Sequence, residues 1–419
     1  MITNIISAIG NNRSVYPLIL RDCGIEVPSK IYITRKENLK ESKTKANDAT
    51  REKFIDEYAT SALWVGGIPF VEKVYNKFIK SKGFNPNADI KLFKENEFQG
   101  IEYNIKKFRN IASKEVEELE KIKNNRKIYE KLIAGKFASA IIIPTVLMGF
   151  VLPKLNFALT KKIKENRKQQ NNYDSQNITF RQSFTAFKAE KDVSFTGNFV
   201  SSIANMKTVD KMAITDGGLT VGRVSTSRNK DEAFVNAFRM IGSMILNFVT
   251  PIYIAKFLDK CANKVFGLNV KLDPLILNDK ELINAIKEDK IELPKSNSAK
   301  NIFEFIDTKP QSLFSKFASA QGKVSYLQSG IRDPRKYVDV KDLVNFKTEL
   351  ENFIKSAKES SDITKFIKKA RFVKGINILS NVAISSILLA VILPKLQYGF
   401  NKLVTGSYSD PGLRDNQTA

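Results

Sequence analysis

The 419-residue chain contains no histidine, two cysteines and a single tryptophan. The absence of histidine excludes Ser-His-Asp and Cys-His catalysis, imidazole ligation of metals and histidine pH switching. Cys23 and Cys261 are far apart in sequence and form neither a CxxC unit nor a disulfide framework, so we interpret them as small buried groups. The first ten residues lack a basic region followed by a long apolar run, and we expect no cleaved signal peptide.

Acidic residues are in the minority, with 44 Asp and Glu against 68 Lys and Arg, for a net charge of +24. This excess favours an anionic partner, either lipid head groups or nucleic acid, although a lysine-rich solvated surface would produce the same composition. No nucleic-acid-binding motif accompanies the charge, so nucleic acid is the weaker alternative. The mean hydropathy of -0.24 indicates a folded protein that is largely hydrated, in which any membrane segments form a small part of the chain.

Charged residues are missing from four windows, which cover residues 58–71, 137–153, 240–255 and 375–394. A membrane-spanning helix needs about 20 predominantly apolar residues. By this rule the fourth window is long enough and the second is borderline. The first and third windows are shorter and closer to buried or re-entrant helices.

Each window contains a proline towards its C-terminal end, at Pro69, Pro153, Pro251 and Pro394. A proline inside a helix removes one hydrogen bond, so we predict a helix kink at each of these positions. The tetrapeptide Leu-Pro-Lys-Leu also occurs twice, at residues 152–155 and 393–396. We therefore predict two related halves, 51–165 and 230–405, although unrelated hydrophobic helices could share so short a match.

The fold class predicted from these features is all-α. Hydrophobic, proline-kinked helices would form a membrane-associated bundle, joined by charged amphipathic helices. Outside the two halves we predict a basic N-terminal segment at 1–50, a linker with a glycine-rich loop at 166–229, and a disordered tail at 406–419.

The predicted loop has the GxxxxG spacing of a phosphate-binding loop at Gly217 and Gly222. Arg223 and a valine replace the Lys-Ser/Thr pair that such a loop requires, so we predict no nucleotide site. Asn229 and Glu232 have the spacing of a capping box that opens the third hydrophobic helix. Arg223 and Arg228, close to this helix start, are candidate contacts for a phosphate or sulfate; the alternative is a capping loop without further function.

A second candidate site is the basic run 365–374, directly before the fourth window. We predict that Lys365, Lys368, Lys369 and Arg371 contact anionic lipid phosphates. A plain solvated helix face is the alternative. No local pattern indicates paired carboxylates or an activated nucleophile, so we predict no catalytic residues, metal ligands, cofactor or small-molecule substrate.

Several stretches resemble a group of uncharacterised bacterial hypothetical proteins: residues 21–28 (RDCGIEVP), 51–54 (REKF), 60–69 (TSALWVGGIP), and the glycine-rich stretch running into 228–232 (RNKDE). The group has no assigned activity. The resemblance therefore implies bacterial origin and several hydrophobic helices.

The function expected from the sequence is that of a non-enzymatic, membrane-associated protein, with the bacterial inner membrane as its location. It would contact anionic lipid as an envelope scaffold or as a component of a membrane complex with protein partners. The alternative is a soluble all-α interaction protein with an acidic or nucleic-acid partner. Lys and Arg flank the second window on both sides, so the positive-inside rule leaves the orientation open.

Overall fold

The computed structural model describes residues 20–95, 97–171, 208–268 and 270–413. Across these residues it is helical and has no strand; the one β-bridge pairs Tyr326 with Arg332. The α-helices are α1 (Val27–Leu39), α2 (Lys43–Ala62), α3 (Ile68–Ser81), α4 (Ile101–Phe108), α5 (Ser113–Asn124), α6 (Arg126–Val146), α7 (Leu152–Asn171), α8 (Thr208–Ser225), α9 (Lys230–Met244), α10 (Thr250–Phe266), α11 (Pro274–Leu277), α12 (Lys280–Lys287), α13 (Ala299–Thr308), α14 (Leu313–Ala320), α15 (Val340–Lys358), α16 (Ile363–Ile387) and α17 (Leu393–Thr405). The all-α prediction is confirmed for the described residues.

Five segments have π-helical hydrogen bonding: π1 (Leu20–Glu26), π2 (Leu63–Gly67), π3 (Leu147–Val151), π4 (Ile245–Val249) and π5 (Leu388–Ile392). Short 3₁₀ turns lie at Ile90–Phe93 and Pro411–Leu413.

Segments π2 to π5 each end two residues before a proline. The second residues of α3, α7, α10 and α17 are therefore Pro69, Pro153, Pro251 and Pro394. A proline ring clashes with the carbonyl four residues earlier, and in each helix that carbonyl lies within the π segment. A π segment bonds over five residues, as the amide of Leu152 does to the carbonyl of Leu147. Proline and π segment thus form one repeated local structure, while the predicted kink stays a prediction.

Three continuous helices are long and apolar enough, by length and composition, to cross a membrane: Arg126–Arg167, Lys230–Phe266 and Ile363–Thr405, of 42, 37 and 43 residues. They carry the second, third and fourth windows. The helix containing the first window is not among them. The third window, short by sequence, belongs to a long helix because regular structure continues through Pro251.

The described chain divides into two compact units. Unit 1 comprises residues 20–26, 70–136 and 244–389, and unit 2 comprises residues 27–69, 137–171, 208–243 and 390–413. Four of the boundaries, at 69/70, 136/137, 243/244 and 389/390, fall inside the hydrophobic helices. The proposed duplication of 51–165 in 230–405 remains a prediction.

Unit 1 has an extensive apolar core around α15. Its buried positions Leu343, Phe346 and Leu350 follow helical spacing and meet α13 and α14. The rings of Phe314 and Phe346 stack at 5.3 Å. Asp339 caps α15 because its side chain accepts hydrogen bonds from the amides of Lys341 and Asp342, so the helix begins at a defined residue.

Unit 2 packs through small residues and a smaller core. Met148, Leu219 and Met240 form a buried cluster against which Leu63 and Trp64 pack. Helix α8 lies so close to π3 that an ideal Cβ on Gly222 would stand 2.8 Å from the Cα of Gly149.

Residues 216–223 are therefore part of helix α8, where we predicted a glycine-rich loop. Glycine lowers intrinsic helix propensity, but here it permits backbone contact between two helices, and this packing outweighs the propensity. Residues 166–171 are also helical, as the end of α7. The remainder of the predicted linker, residues 172–207, lies outside the described residues.

The predicted disordered tail also differs, because residues 406–413 pack into unit 2. Ser409 and Leu413 are buried. The Ser409 amide donates to the Glu41 carboxylate at 2.9 Å, and its carbonyl accepts from Asn401 at 2.7 Å. Residues 414–419 lie outside the described residues. Of the predicted basic N-terminal segment, residues 27–39 and 43–50 form α1 and the start of α2, and residues 1–19 are not described.

Candidate lipid-facing surface and buried charge cluster

The three long helices expose large apolar side chains along their hydrophobic windows. In Lys230–Phe266 the most apolar 18-residue window contains no buried residue, and in the other two helices only 22% and 28% of that window is buried. Exposed side chains along the three helices include Ile142, Ile143, Val146, Ile241, Ile245, Ile252, Phe257, Leu379, Ile387 and Leu396. Exposed apolar side chains along helices of this length favour a surface that meets lipid or another protein.

Helix α16 joins a basic face to an apolar face. Lys365, Lys368 and Lys369 are exposed, and the Lys365 side chain is 87% exposed. The exposed apolar residues that continue this face along the helix, at intervals of three and four, are Phe372, Ile376 and Leu379. The three lysines are thus exposed next to exposed apolar residues, and their contact with lipid head groups stays a prediction.

Arg371, the fourth residue predicted for this face, turns inwards. Its Nη2 donates to the carbonyl of Leu277 at 3.0 Å, and its Nε is buried without a partner. The guanidinium group thus links α16 to α11 within unit 1. Sequence spacing did not reveal this, because Arg371 is only two residues from Lys369 but on a different side of the helix.

The two arginines predicted to contact an anion, Arg223 and Arg228, have carboxylate partners within the protein. Arg223 is buried; its Nη1 donates to Asp56 at 2.7 Å and its Nη2 to Thr60 at 2.8 Å. Arg228 donates to Glu52 at 2.9 and 3.0 Å and to Glu232 at 2.7 Å.

Arg228 therefore has no unused pair of donors for an external anion, whereas Arg223 retains a buried, unpartnered Nε. The carboxylates of α2 that pair with these arginines lie more than 160 positions away in sequence. The predicted cap is confirmed in part: Asn229 accepts a hydrogen bond from the Glu232 amide at 2.8 Å, but the Glu232 carboxylate accepts from the amide of Arg228 rather than Asn229.

Helix α2 brings further charges into this cluster. Lys53 and Glu57, one turn apart, form an ion pair of 2.8 Å, and Lys30 of α1 reaches Glu57 at 3.3 Å. Arg239 of α9 lies 4.0 Å from the same Asp56 oxygen that pairs with Arg223. We call these residues, with Glu52, Arg228, Glu232 and Asp410, the charge cluster of unit 2. Sequence reasoning missed it, although the acid–base alternation along residues 51–57 is a visible indication.

Burial dominates the electrostatics of the cluster. It lowers the pKa of Lys53 to about 8, with Arg239 adding to the shift and Glu57 opposing it. Burial alone would raise the pKa of Glu57, but Lys30, Lys53 and Arg239 together hold it well below its usual value. Burial raises the pKa of Asp410, partly offset by Lys53.

All residues of the cluster except Lys30 and Glu57 line a cavity of about 80 Å³ within unit 2. Its lining comprises Ala49, Glu52, Lys53, Asp56, Pro153, Asn156, Phe157, Arg223, Arg228, Glu232, Val235, Asn236, Arg239, Gln397, Tyr398, Asp410 and Pro411. Two buried atoms of this lining have no hydrogen-bond partner: the Nε of Arg223 and the Oδ1 of Asn156. Buried polar atoms are nearly always bonded, so these two atoms are exceptions within the described lining.

Nothing in the described ranges assembles three or more carboxylates and thiols in a way that could hold a metal ion. Comparison with protein-family models, with curated proteins and with solved structures gives no match. The resemblance to a bacterial group, and the origin it implies, therefore remain predictions.

Proposed function

We propose that this chain is a membrane-inserted helical protein of the bacterial inner membrane. It has no catalytic role and holds a basic hydrated body against anionic lipid, as an envelope scaffold or a component of a membrane complex. The observation that carries the proposal is the exposure of apolar side chains along three helices of spanning length. In water each large apolar side chain would forgo about 1.5–3 kcal/mol of burial free energy, which a bilayer supplies.

The helix architecture is consistent with a bilayer environment. Transmembrane helices tolerate proline because local π adjustment and neighbouring groups satisfy the freed carbonyls, and all four window prolines follow a π segment. Helix contacts through glycine, as between Gly149 and Gly222, are typical of membrane bundles, in which burial of apolar surface does not drive association. We propose that the prolines bend these helices within a membrane bundle.

The exposed lysines of α16 are the proposed head-group contacts. Each cation near an anionic surface contributes about 1 kcal/mol, and the contribution falls as ionic strength rises. Replacing Lys365, Lys368 and Lys369 together with Gln should weaken binding of the detergent-solubilised protein to phosphatidylglycerol in mixed micelles. Three such contributions correspond to roughly a hundredfold in affinity. Arg371 is left intact because its guanidinium group holds α16 in place.

A matched control removes the same charge elsewhere in unit 1. Lys271, Lys280 and Lys300 are exposed and lie outside the candidate spans. Their triple Gln variant should retain most of the binding. Binding that is insensitive to salt, or that falls equally in both variants, would contradict a specific basic face.

A further inference from the structure

Helix α3 has an inner face that packs within unit 1 and an outer face that is exposed. On the inner face Ile79 is fully buried, and an ideal Cβ on Gly135 of α6 would collide with the Tyr75 hydroxyl. The outer face carries exposed large apolar side chains at every fourth position: Phe70, Val74 and Phe78. We call these three residues the apolar strip of α3. The inner contacts hold the helix in place, so the strip stays uncovered by the described residues.

Three lysines lie along one edge of the apolar strip. Lys73, Lys77 and Lys80 are all exposed, and helical geometry places them beside the strip rather than behind it. None of the three forms an ion pair or a hydrogen bond with the part of the chain that the structure describes. The single acidic residue of α3, Glu72, is half-buried and lies on the opposite side of the helix. The outer face is therefore apolar along one edge and positively charged, without compensation, along the other.

We propose that α3 lies flat in the head-group region of an anionic bilayer, with the apolar strip inserted and the three lysines bound to lipid phosphates. Helices that lie in this region have Phe or Leu on the inserted face and Lys or Arg on the polar face. They sink roughly 5–10 Å into the boundary between head groups and acyl chains. Lysine stems extend along apolar surface while the ammonium groups reach the phosphates.

A second helix of unit 1 favours lipid over an acidic protein as the partner. Four exposed residues of α10 repeat the spacing of residues 70, 73, 74 and 77, namely aromatic, Lys, apolar and Lys: Tyr253, Lys256, Phe257 and Lys260. This pattern begins near the end of the third window, where a spanning helix leaves the hydrocarbon and where tyrosine is enriched. The choice of lipid rests on the proposed function, although α3 itself needs no spanning segment.

The test places one fluorescent label on α3 of the full chain, reconstituted into vesicles that contain phosphatidylglycerol. Cys23 and Cys261 are first replaced with Ala, so that Val74→Cys supplies the single thiol. A nitrobenzoxadiazole label at this position should be quenched more strongly by lipids with a nitroxide near the head group than by lipids with a nitroxide deep in the acyl chain. The control Ile111→Cys labels an exposed apolar position between α4 and α5, and should be quenched by aqueous iodide instead.

A label at Ile387, which is exposed in the fourth window, separates this proposal from membrane insertion. At Ile387→Cys the deep nitroxide should be the stronger quencher. Deep quenching at Ile387 with iodide access at Val74 would overturn the interfacial helix and leave insertion standing, whereas absence of lipid quenching at both positions would overturn both. Protection of Val74 from iodide and from both lipids would mean that protein covers the strip, and would overturn the assignment to lipid.

The basic edge is tested by replacing Lys73, Lys77 and Lys80 together with Gln in the protein labelled at Val74. Head-group-level quenching should fall in this variant, and also in the parent protein in neutral phosphatidylcholine vesicles, because the attraction to an anionic surface is lost. The charge-matched Gln variant of Lys271, Lys280 and Lys300 should retain the quenching. Equal quenching in the two variants would contradict lipid contact by the lysines of α3.

Discussion

The contact between Gly222 of α8 and Gly149 of π3 can be tested by a graded series of alanine substitutions. A Cβ at position 222 would stand 2.8 Å from the Cα and carbonyl carbon of Gly149, so the helix backbones must separate. At position 149 the nearest atoms lie at 3.3 and 3.4 Å, which is a milder clash. Gly217, in the same helix as Gly222, has no atom within 4 Å of its ideal Cβ and serves as the control.

Each Gly→Ala change inside a helix gains about 0.5–1 kcal/mol from lower backbone entropy in the unfolded chain. This gain is common to the series and cancels in the comparison. Overpacking against backbone costs about 1–3 kcal/mol. We therefore expect Gly217→Ala to stabilise unit 2, and Gly222→Ala to fall below it by about 1–3 kcal/mol, with Gly149→Ala between them.

The assay is unfolding of the detergent-solubilised protein, followed by tryptophan fluorescence. Trp64 is the single tryptophan and packs against the cluster of Met148, Leu219 and Met240 that this contact supports. Equal stability of Gly222→Ala and Gly217→Ala would refute the close helix contact. If Gly217→Ala mildly destabilised the protein, Gly217 would not lie in a helix with open space beside its Cα.

Two further predictions concern unit 2. The pKa of Lys53 is lowered from 10.5 in the unfolded chain to about 8 in the folded protein, so between these pH values the unfolded chain binds more protons. The free energy of unfolding should therefore rise with pH from about 8 to 10.5. In denaturant titrations, Lys53→Met should lose this rise. An unchanged pH profile in the variant would contradict the charge cluster. Leu413 is 1% exposed, so Leu413→Ala should lower the free energy of unfolding by about 2–5 kcal/mol. Leu403 is 86% exposed, and Leu403→Ala should lower it by less than about 0.5 kcal/mol. Similar losses would mean that the tail is not packed.

The features that sequence reasoning predicted are those determined over short distances. Charge-free windows and helical spacing indicate helices directly, and α15 buries Leu343, Leu350, Phe353 and Ala357 at helical spacing. The prolines lie next to the π segments, but the sequence did not predict these segments, because hydrogen bonding over five residues has no characteristic residue pattern.

The features that sequence reasoning missed depend on distant partners. Glycine at positions 218 and 222 indicates a loop unless the residues that lie against them, Thr145 and Gly149 respectively, are known. Arg223 and Arg228 near a helix start indicate an anion site unless Asp56 and Glu52 are known to face them. Residues 406–413 likewise have the composition of a disordered segment, and their amides at Asp410 and Ser409 donate to Asn38 of α1 and to Glu41.

Membrane insertion is the central claim, and alkaline-carbonate extraction of membranes from cells expressing the full chain tests it most directly. Three helices with exposed apolar windows predict that the protein stays in the membrane pellet at high pH and is released by mild detergent, which distinguishes insertion from aggregation. Release into the supernatant by carbonate or by high salt alone would contradict insertion and leave charge as the only attachment.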